Sequence, residues 1–276
     1  MEGDKTKEKS DSDPTVARNV VIFGETGAGK SSVVNLIAGK ALADVRSSAS
    51  GCTFKSASYE DMVDDMVIRM HDTVGLNEGQ EGTVSARDAI IELYQLIKGL
   101  EEGISLLVFC VRGRIKDTTK KNYRMFFEGL CQKQVPIILL VTGLELEEPD
   151  MESWWSRNAQ EFNSVNMIFA GHACITSTKG KERNGRFMYD QEYSESRART
   201  RSLISSQLNK VKPWRVDKEG FVKSFLKRTF NWFAEAFRLR PIILCKVLFD
   251  ALVLAGFSLE EALKFSNQAA RQEEET

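Results

Sequence analysis

Eight consecutive residues carry the first recognisable chemistry in this chain: Gly24-Glu25-Thr26-Gly27-Ala28-Gly29-Lys30-Ser31. They follow an apolar run at 19–23 and precede a helical pattern that begins at Ser32. This is the strand, loop and helix setting of the phosphate-binding motif G-x-x-x-x-G-K-[ST]. Glycines let successive N–H groups curl inward toward phosphate oxygens, and the helix that follows adds the positive end of its dipole. Lys30 is expected to reach the β- and γ-phosphates and Ser31 to ligate Mg²⁺, with Ser32 completing the first helical turn at the site. The expected ligand is a nucleoside triphosphate.

A second motif, Asp72-Thr73-Val74-Gly75, follows the apolar strand pattern at 66–71. There Asp72 is expected near Mg²⁺, and the Gly75 amide at a γ-phosphate oxygen. The segment between the motifs must supply a hydroxyl that completes the metal site. Thr53 in Gly51-Cys52-Thr53 is the choice, with Ser47, Ser48 and Ser50 as competitors. Base recognition is expected after the apolar run at 135–141, where Thr142-Gly143-Leu144-Glu145 ends in an acceptor for the N–H donors of guanine. Guanine-binding proteins place N-K-x-D or T-K-x-D here, so the lysine whose stem covers one face of the base is missing. After the last strand pattern, Ser177-Thr178-Lys179 stands where a backbone amide would meet guanine O6.

In this order the motifs resemble the translation-factor-related class of GTPases. Within it the chain is similar to immunity-associated nucleotide-binding (GIMAP-type) proteins, chloroplast-import GTPases and septins, and especially to fungal "G domain-containing" proteins. The resemblance covers about residues 18–211 and implies a G domain that binds GTP or GDP with Mg²⁺. Where Ras-like proteins have a water-orienting glutamine after the D-x-x-G glycine, this chain has Leu76. Slow intrinsic hydrolysis is therefore expected, stimulated by self-association or by a partner, with Lys30, Thr53 and Gly75 as the catalytic groups. Asn77, Glu78 and Gln80 are candidates for an alternative polar group, and Arg112 and Arg114 either face a partner or only solvate a loop. Two further readings stand beside the GTPase: a nucleotide-holding scaffold without turnover, and a P-loop ATPase or kinase.

Positioning these residues requires strands that alternate with helices, the signature of βαβ units and a wound sheet. Strands are read at 19–23, 53–59, 66–71, 104–110, 135–141 and 166–175, with 61–65 as the turn of an antiparallel hairpin. Helices are read at 30–44, 85–100, 117–133 and 192–211, and 179–191 as a polar, flexible stretch. The near-unbroken apolar runs at 104–110 and 135–141 predict central strands covered on both faces. The expected architecture is a three-layer α/β P-loop NTPase fold, a G domain, with a mostly parallel central sheet and a C-terminal α-helical extension. The divisions are a charged disordered tail at 1–17, the G domain at 18–211 and the extension at 212–276. In the extension Pro241 opens a helix, Gly256 stops it, and Ser258-Leu259-Glu260-Glu261 is a capping box.

The 276 residues carry 38 Lys plus Arg against 39 Asp plus Glu, so no bulk charge calls for nucleic acid. Cys52, Cys110, Cys131, Cys174 and Cys245 lack C-x-x-C spacing and read as reduced core thiols, which fits a cytoplasmic protein. No uncharged apolar stretch reaches the ~18 residues of a membrane span. Basic residues interleaved with aromatics at 221–240 leave two uses for the C-terminal helices: packing on the G domain, or peripheral contact with an anionic membrane. His71 and His172 are read as packed or edge histidines, and Trp154 and Trp155 as anchors of a helix to the sheet.

Overall fold

In the computed structural model, the described residues are 17–43, 57–73, 96, 100, 103–215, 241–254 and 257–271. Six strands form one sheet in the order β2-β3-β1-β4-β5-β6. They are β1 (Arg18–Gly24), β2 (Ala57–Val63), β3 (Met66–Asp72), β4 (Leu106–Arg112), β5 (Ile137–Thr142) and β6 (Gly171–Cys174). All neighbours run parallel except β2 and β3, which pair antiparallel across the turn Asp64-Asp65. That turn is shorter than the one read at 61–65, because Asp61, Met62 and Val63 continue the ladder opposite Ile68, Val67 and Met66.

Alternation along the strands sorts their side chains into two apolar layers. Val20, Ile22, Leu106, Val108, Cys110, Ile138 and Leu140 point into the layer of helices α1 (Lys30–Ala38) and α4 (Asp190–Leu208). Val21, Phe23, Leu107, Phe109, Val111, Leu139 and Val141 point into the other. That second layer holds Phe162 of α3 (Glu152–Ser164), with Trp154 and Trp155 against it, and Phe126 stacked on Phe23 at 4.2 Å. It also takes in Leu248 and Leu252 of α5 (Pro241–Leu254) and Ala262 and Phe265 of α6 (Leu259–Arg271). The helical extension therefore shares an apolar core with the sheet. At the start of α6 the Ser258 N–H donates to Glu261 and the Glu261 N–H donates back to the Ser258 hydroxyl. This is the capping box that the sequence predicts.

Several elements differ in length from their sequence pattern. α1 stops at Ala38 because Gly39 takes φ 73° and its N–H closes on the Asn35 carbonyl. The helix read at 117–133 is α2 (Asp117–Tyr123) followed by seven residues of π-helix, Arg124–Leu130. The strand read at 166–175 shrinks to four residues, since Asn166 sits in a turn with φ 56°. The stretch read as flexible contains a two-residue-a-side hairpin, β7 (Glu182–Arg183) with β8 (Arg186–Phe187), turned by Asn184 and Gly185 at positive φ. Among the described residues no helix is long and apolar enough to cross a membrane.

Next to β1 lies one buried polar chain. The Asn19 amide donates to the Gly103 carbonyl at 2.7 Å, which leaves its oxygen to accept from His71 Nε2 at 3.0 Å. His71 is thus a neutral packed histidine, and burial with the nearby Arg69 charge lowers its pKa to about 4 from an ordinary value of 6.5. Between those values the unfolded chain binds the extra proton, so this group's stabilising contribution falls as pH drops from 6.5 toward 4. The limiting slope for one such site is about 1.4 kcal/mol per pH unit. Urea denaturation at a series of pH values should show a shallower acid loss for His71→Gln than for the wild type.

Candidate functional site

The two predicted motifs meet at the C-terminal edge of the parallel strands, where open α/β sheets place their ligand crevices. β1 ends at Gly24, which has φ 150°, and a Cβ there would lie 2.2 Å from the Cys110 carbonyl oxygen. Only glycine lets the chain leave the sheet at this point. Gly27 and Gly29 also hold left-handed φ values of 75° and 85°. Gly29 is the N-cap of α1 and offers no side-chain cap. The first-turn amides of a helix have no intrahelical acceptor by geometry, which suits this end of α1 to an anionic ligand.

Lys30 is buried, and its ammonium donates to the carbonyls of Gly24 at 3.0 Å and Glu25 at 2.9 Å. The group is thereby held over the loop. Ser31 Oγ donates to Asp72 Oδ2 at 2.6 Å, joining the loop to the end of β3. Burial raises the Asp72 pKa above the ordinary carboxylate value, against the opposing effects of the Ser31 hydrogen bond and the Lys30 charge. A buried carboxylate beside a hydroxyl is an oxygen pair suited to a hard divalent cation, so the residues present fit Mg²⁺. Thr73 caps the same edge by donating both its N–H and its hydroxyl to the Ile22 carbonyl. Thr53 and Gly75, the other two predicted metal and γ-phosphate groups, lie outside the described residues, as do Ser47, Ser48, Ser50 and the segment from Leu76 to Gln80.

The predicted base-binding segments arrive at the same place. Thr142 donates its hydroxyl to the Ala28 carbonyl at 2.8 Å, locking the end of β5 to the phosphate loop. The Leu144 N–H donates to the Ile175 carbonyl, which ties the Thr142-to-Glu145 turn to the end of β6. Glu145 accepts from the Thr176 hydroxyl at 2.9 Å, and Ser177 Oγ would lie 3.3 Å from a Cβ on Gly29. Lys179 packs toward β8 and the start of α4. Its ammonium lies over the rings of Phe187 and Tyr193 and pairs with Asp190.

Two contacts have no signal in the sequence pattern. The Glu25 side chain reaches the start of α2, where the hydroxyls of Thr118 and Thr119 both donate to Oε1 at 2.6 Å and Lys116 approaches Oε2. Burial raises the Glu25 pKa, but these hydroxyls and the Lys116 charge outweigh it and hold the carboxyl below its ordinary value. The loop residue thus offers the site its backbone, while its charge is anchored elsewhere. Arg112, at the end of β4, lies against Gly143. Two residues distant in sequence make each contact, so no local pattern could have shown them. The core thiols Cys110 and Cys174 are buried, which pushes both pKa values up to about 12 and leaves them unreactive.

A mostly parallel sheet in this strand order, with a phosphate loop after β1 and an aspartate after β3, defines the P-loop GTPase type of G domain. The sequence pattern of the AIG1 family matches residues 18–190, and the chain belongs to that family. It is 29% identical over 174 residues to immune-associated nucleotide-binding protein 10 of Arabidopsis thaliana, a match that covers 60% of this chain and 37% of the relative. The chain thus spans little more than a third of that relative's length. Among solved structures it is similar to a variant of Aquifex aeolicus Era bound to GDP and AlF4⁻, with 15% identity, TM-score 0.51, and coverage of 72% of this chain and 59% of that one. Arabidopsis thaliana Toc33 in complex with GDP and Mg²⁺ superposes with 17% identity, TM-score 0.48, and coverage of 73% and 88%.

Gly24→Ala should lower stability by about 2 kcal/mol or more, because backbone on backbone cannot yield. Gly27→Ala, with open space around its Cβ, should cost only the left-handed strain of about 1–2 kcal/mol. Denaturant midpoints of the two variants, compared side by side, check this ranking.

Proposed function

We propose that this chain binds GTP and GDP with Mg²⁺ and works as a nucleotide-dependent switch with slow intrinsic GTP hydrolysis. The observation that supports it most is the junction of Lys30, Ser31 and Asp72 at the N-terminal end of α1. In this reading the loop from Gly24 to Ser32 cradles the phosphates, and Lys30 leaves its carbonyl partners for the β- and γ-oxygens. Ser31, Asp72 and Thr53 hold the Mg²⁺, which neutralises phosphate charge, and the Gly75 amide meets the γ-phosphate. Glu145, braced by Thr176, accepts from the guanine edge, and the backbone at Ser177, Thr178 and Lys179 borders the base. The Thr142 hydroxyl holds the loop and the base motif at a set spacing.

Leu76 follows Gly75, and a leucine cannot orient water. Stimulation by self-association or by a partner therefore belongs to the proposal, with the segments around Thr53 and Asp72-to-Gly75 as the parts that respond to the γ-phosphate. The same leucine favours a second reading, a scaffold that holds nucleotide and never turns it over. Buried, reduced thiols suit a cytoplasmic setting for either.

Titration with a fluorescent GDP analogue should show saturable, Mg²⁺-dependent binding, with Lys30→Ala weakening it by about a hundredfold, the scale of a lost charge-assisted contact. Wild-type-like binding by that variant would overturn the loop assignment. Single-turnover phosphate release measured at low and high protein concentration should be slow and should rise with concentration, whereas no release at either concentration selects the scaffold.

A further inference from the structure

The base motif carries glycine at 143, so its turn presents bare backbone where a long side chain could have covered a bound base. The space is not open. Gly143 has φ 79°, and a Cβ built on it would lie 2.8 Å from Arg112 Nε, 3.4 Å from Cζ and 3.5 Å from Cδ. Arg112 reaches this spot because it is the last residue of β4 and is paired in register with Thr142, the last residue of β5. From there it also borders the pocket lined by the phosphate loop from Glu25 to Ala28. Its side chain is exposed, and among the described residues no carboxylate pairs with it. A solvated arginine without a partner would be free to extend away from the protein, yet this one lies across the backbone between the phosphate loop and the Glu145 turn.

We infer that Arg112 is a nucleotide-positioning residue: its planar guanidinium covers Gly143 and provides the cationic surface on which the face of the purine rests. A guanidinium stacks on aromatic faces and is weakly hydrated, so it loses little on being covered by a base. The division of labour is then by direction. Glu145 meets the edge of the base and selects it, while Arg112 meets its face and holds it at the distance from the phosphate loop that Thr142 sets. A cation delivered from the neighbouring strand replaces one delivered by the motif itself, and the glycine at 143 is what makes room for it. This inference rests on the nucleotide-binding reading above.

Calorimetry with GDP and Mg²⁺ on the full chain separates the two. Arg112→Ala should weaken GDP binding about tenfold, a loss of the size that stacked cations supply, with the melting temperature of the nucleotide-free protein unchanged. Arg112→Lys, which keeps the charge and loses the plane, should fall between that variant and the wild type. Adding Gly143→Lys to Arg112→Ala fills the vacated space from the motif side and should recover about threefold or more of the lost affinity. Unchanged GDP binding by Arg112→Ala would overturn the assignment, as would a double variant no tighter than Arg112→Ala. A wild-type chain that gives no heat with GDP would instead overturn the nucleotide-binding reading itself.

Discussion

The hydrogen bond from Ser31 to Asp72 is possible only because β1 and β3 lie side by side and parallel, with Ile22 opposite Asp72 in the ladder. Parallel strands end at the same edge of a sheet, so the loops that follow them are neighbours however far apart they are in sequence. The aspartate stands forty-one residues after the serine, and the pairing of the strands brings their oxygens within 2.6 Å. The same constraint delivers Cys110 to the turn at Gly24 and Thr142 to the carbonyl of Ala28. Change the order or direction of these strands and the motifs, though all present, would not form one site.

What steadies that edge is mostly buried hydrogen bonding to backbone, not surface charge. Thr142, Thr73 and Lys30 each satisfy a carbonyl at the end of β1 or in the loop beyond it. Leaving such a buried acceptor unpaired costs more than a typical exposed ion pair gains. At the other end of α1, Arg201 of α4 donates to the carbonyl of Ile37 and to that of Met62 in β2. The helix that follows the glycine-rich loop is thus held at both ends. The Glu25 carboxylate adds a third tie by joining the loop to α2, which leads into the π-helix stacked on Phe23. A loop packed with glycines is given a defined shape by what surrounds it.

Local sequence carries the central strands well where apolar composition and two-sided burial agree. The runs containing Phe109 and Leu139 read as central strands because each face of them is covered by a helical layer, and both are buried along their length. The hairpin of β2 and β3 is legible for its antiparallel sense but not its turn, since on this edge strand polar Asp61 is half-buried while apolar Met62 is exposed. The π-helix after Tyr123 was not legible, because apolar spacing cannot distinguish an extra residue in a helical turn from the ordinary period. It is closed by carbonyls of Phe126 and Phe127 accepting from Cys131 and Lys133, backbone bonds to which side-chain periodicity is blind. The hairpin at Glu182 to Phe187 has a turn signal in Asn184-Gly185, but so short a ladder has no alternating pattern to mark its strands.

By itself the amino-acid sequence determined that this chain holds a G-x-x-x-x-G-K-S loop, an aspartate at the end of a strand, an acidic turn after the Leu139 run and a wound sheet to carry them. Those properties reside in short runs of residues whose types are dictated by backbone freedom, charge and burial. Only the tertiary structure decided which distant groups touch them: Asp72 to Ser31, Thr142 to Ala28, Thr118 and Thr119 to Glu25, and Arg112 to Gly143. Contacts of that kind depend on strand register and helix placement, which arise from the summed packing of both apolar layers, and no single segment encodes them.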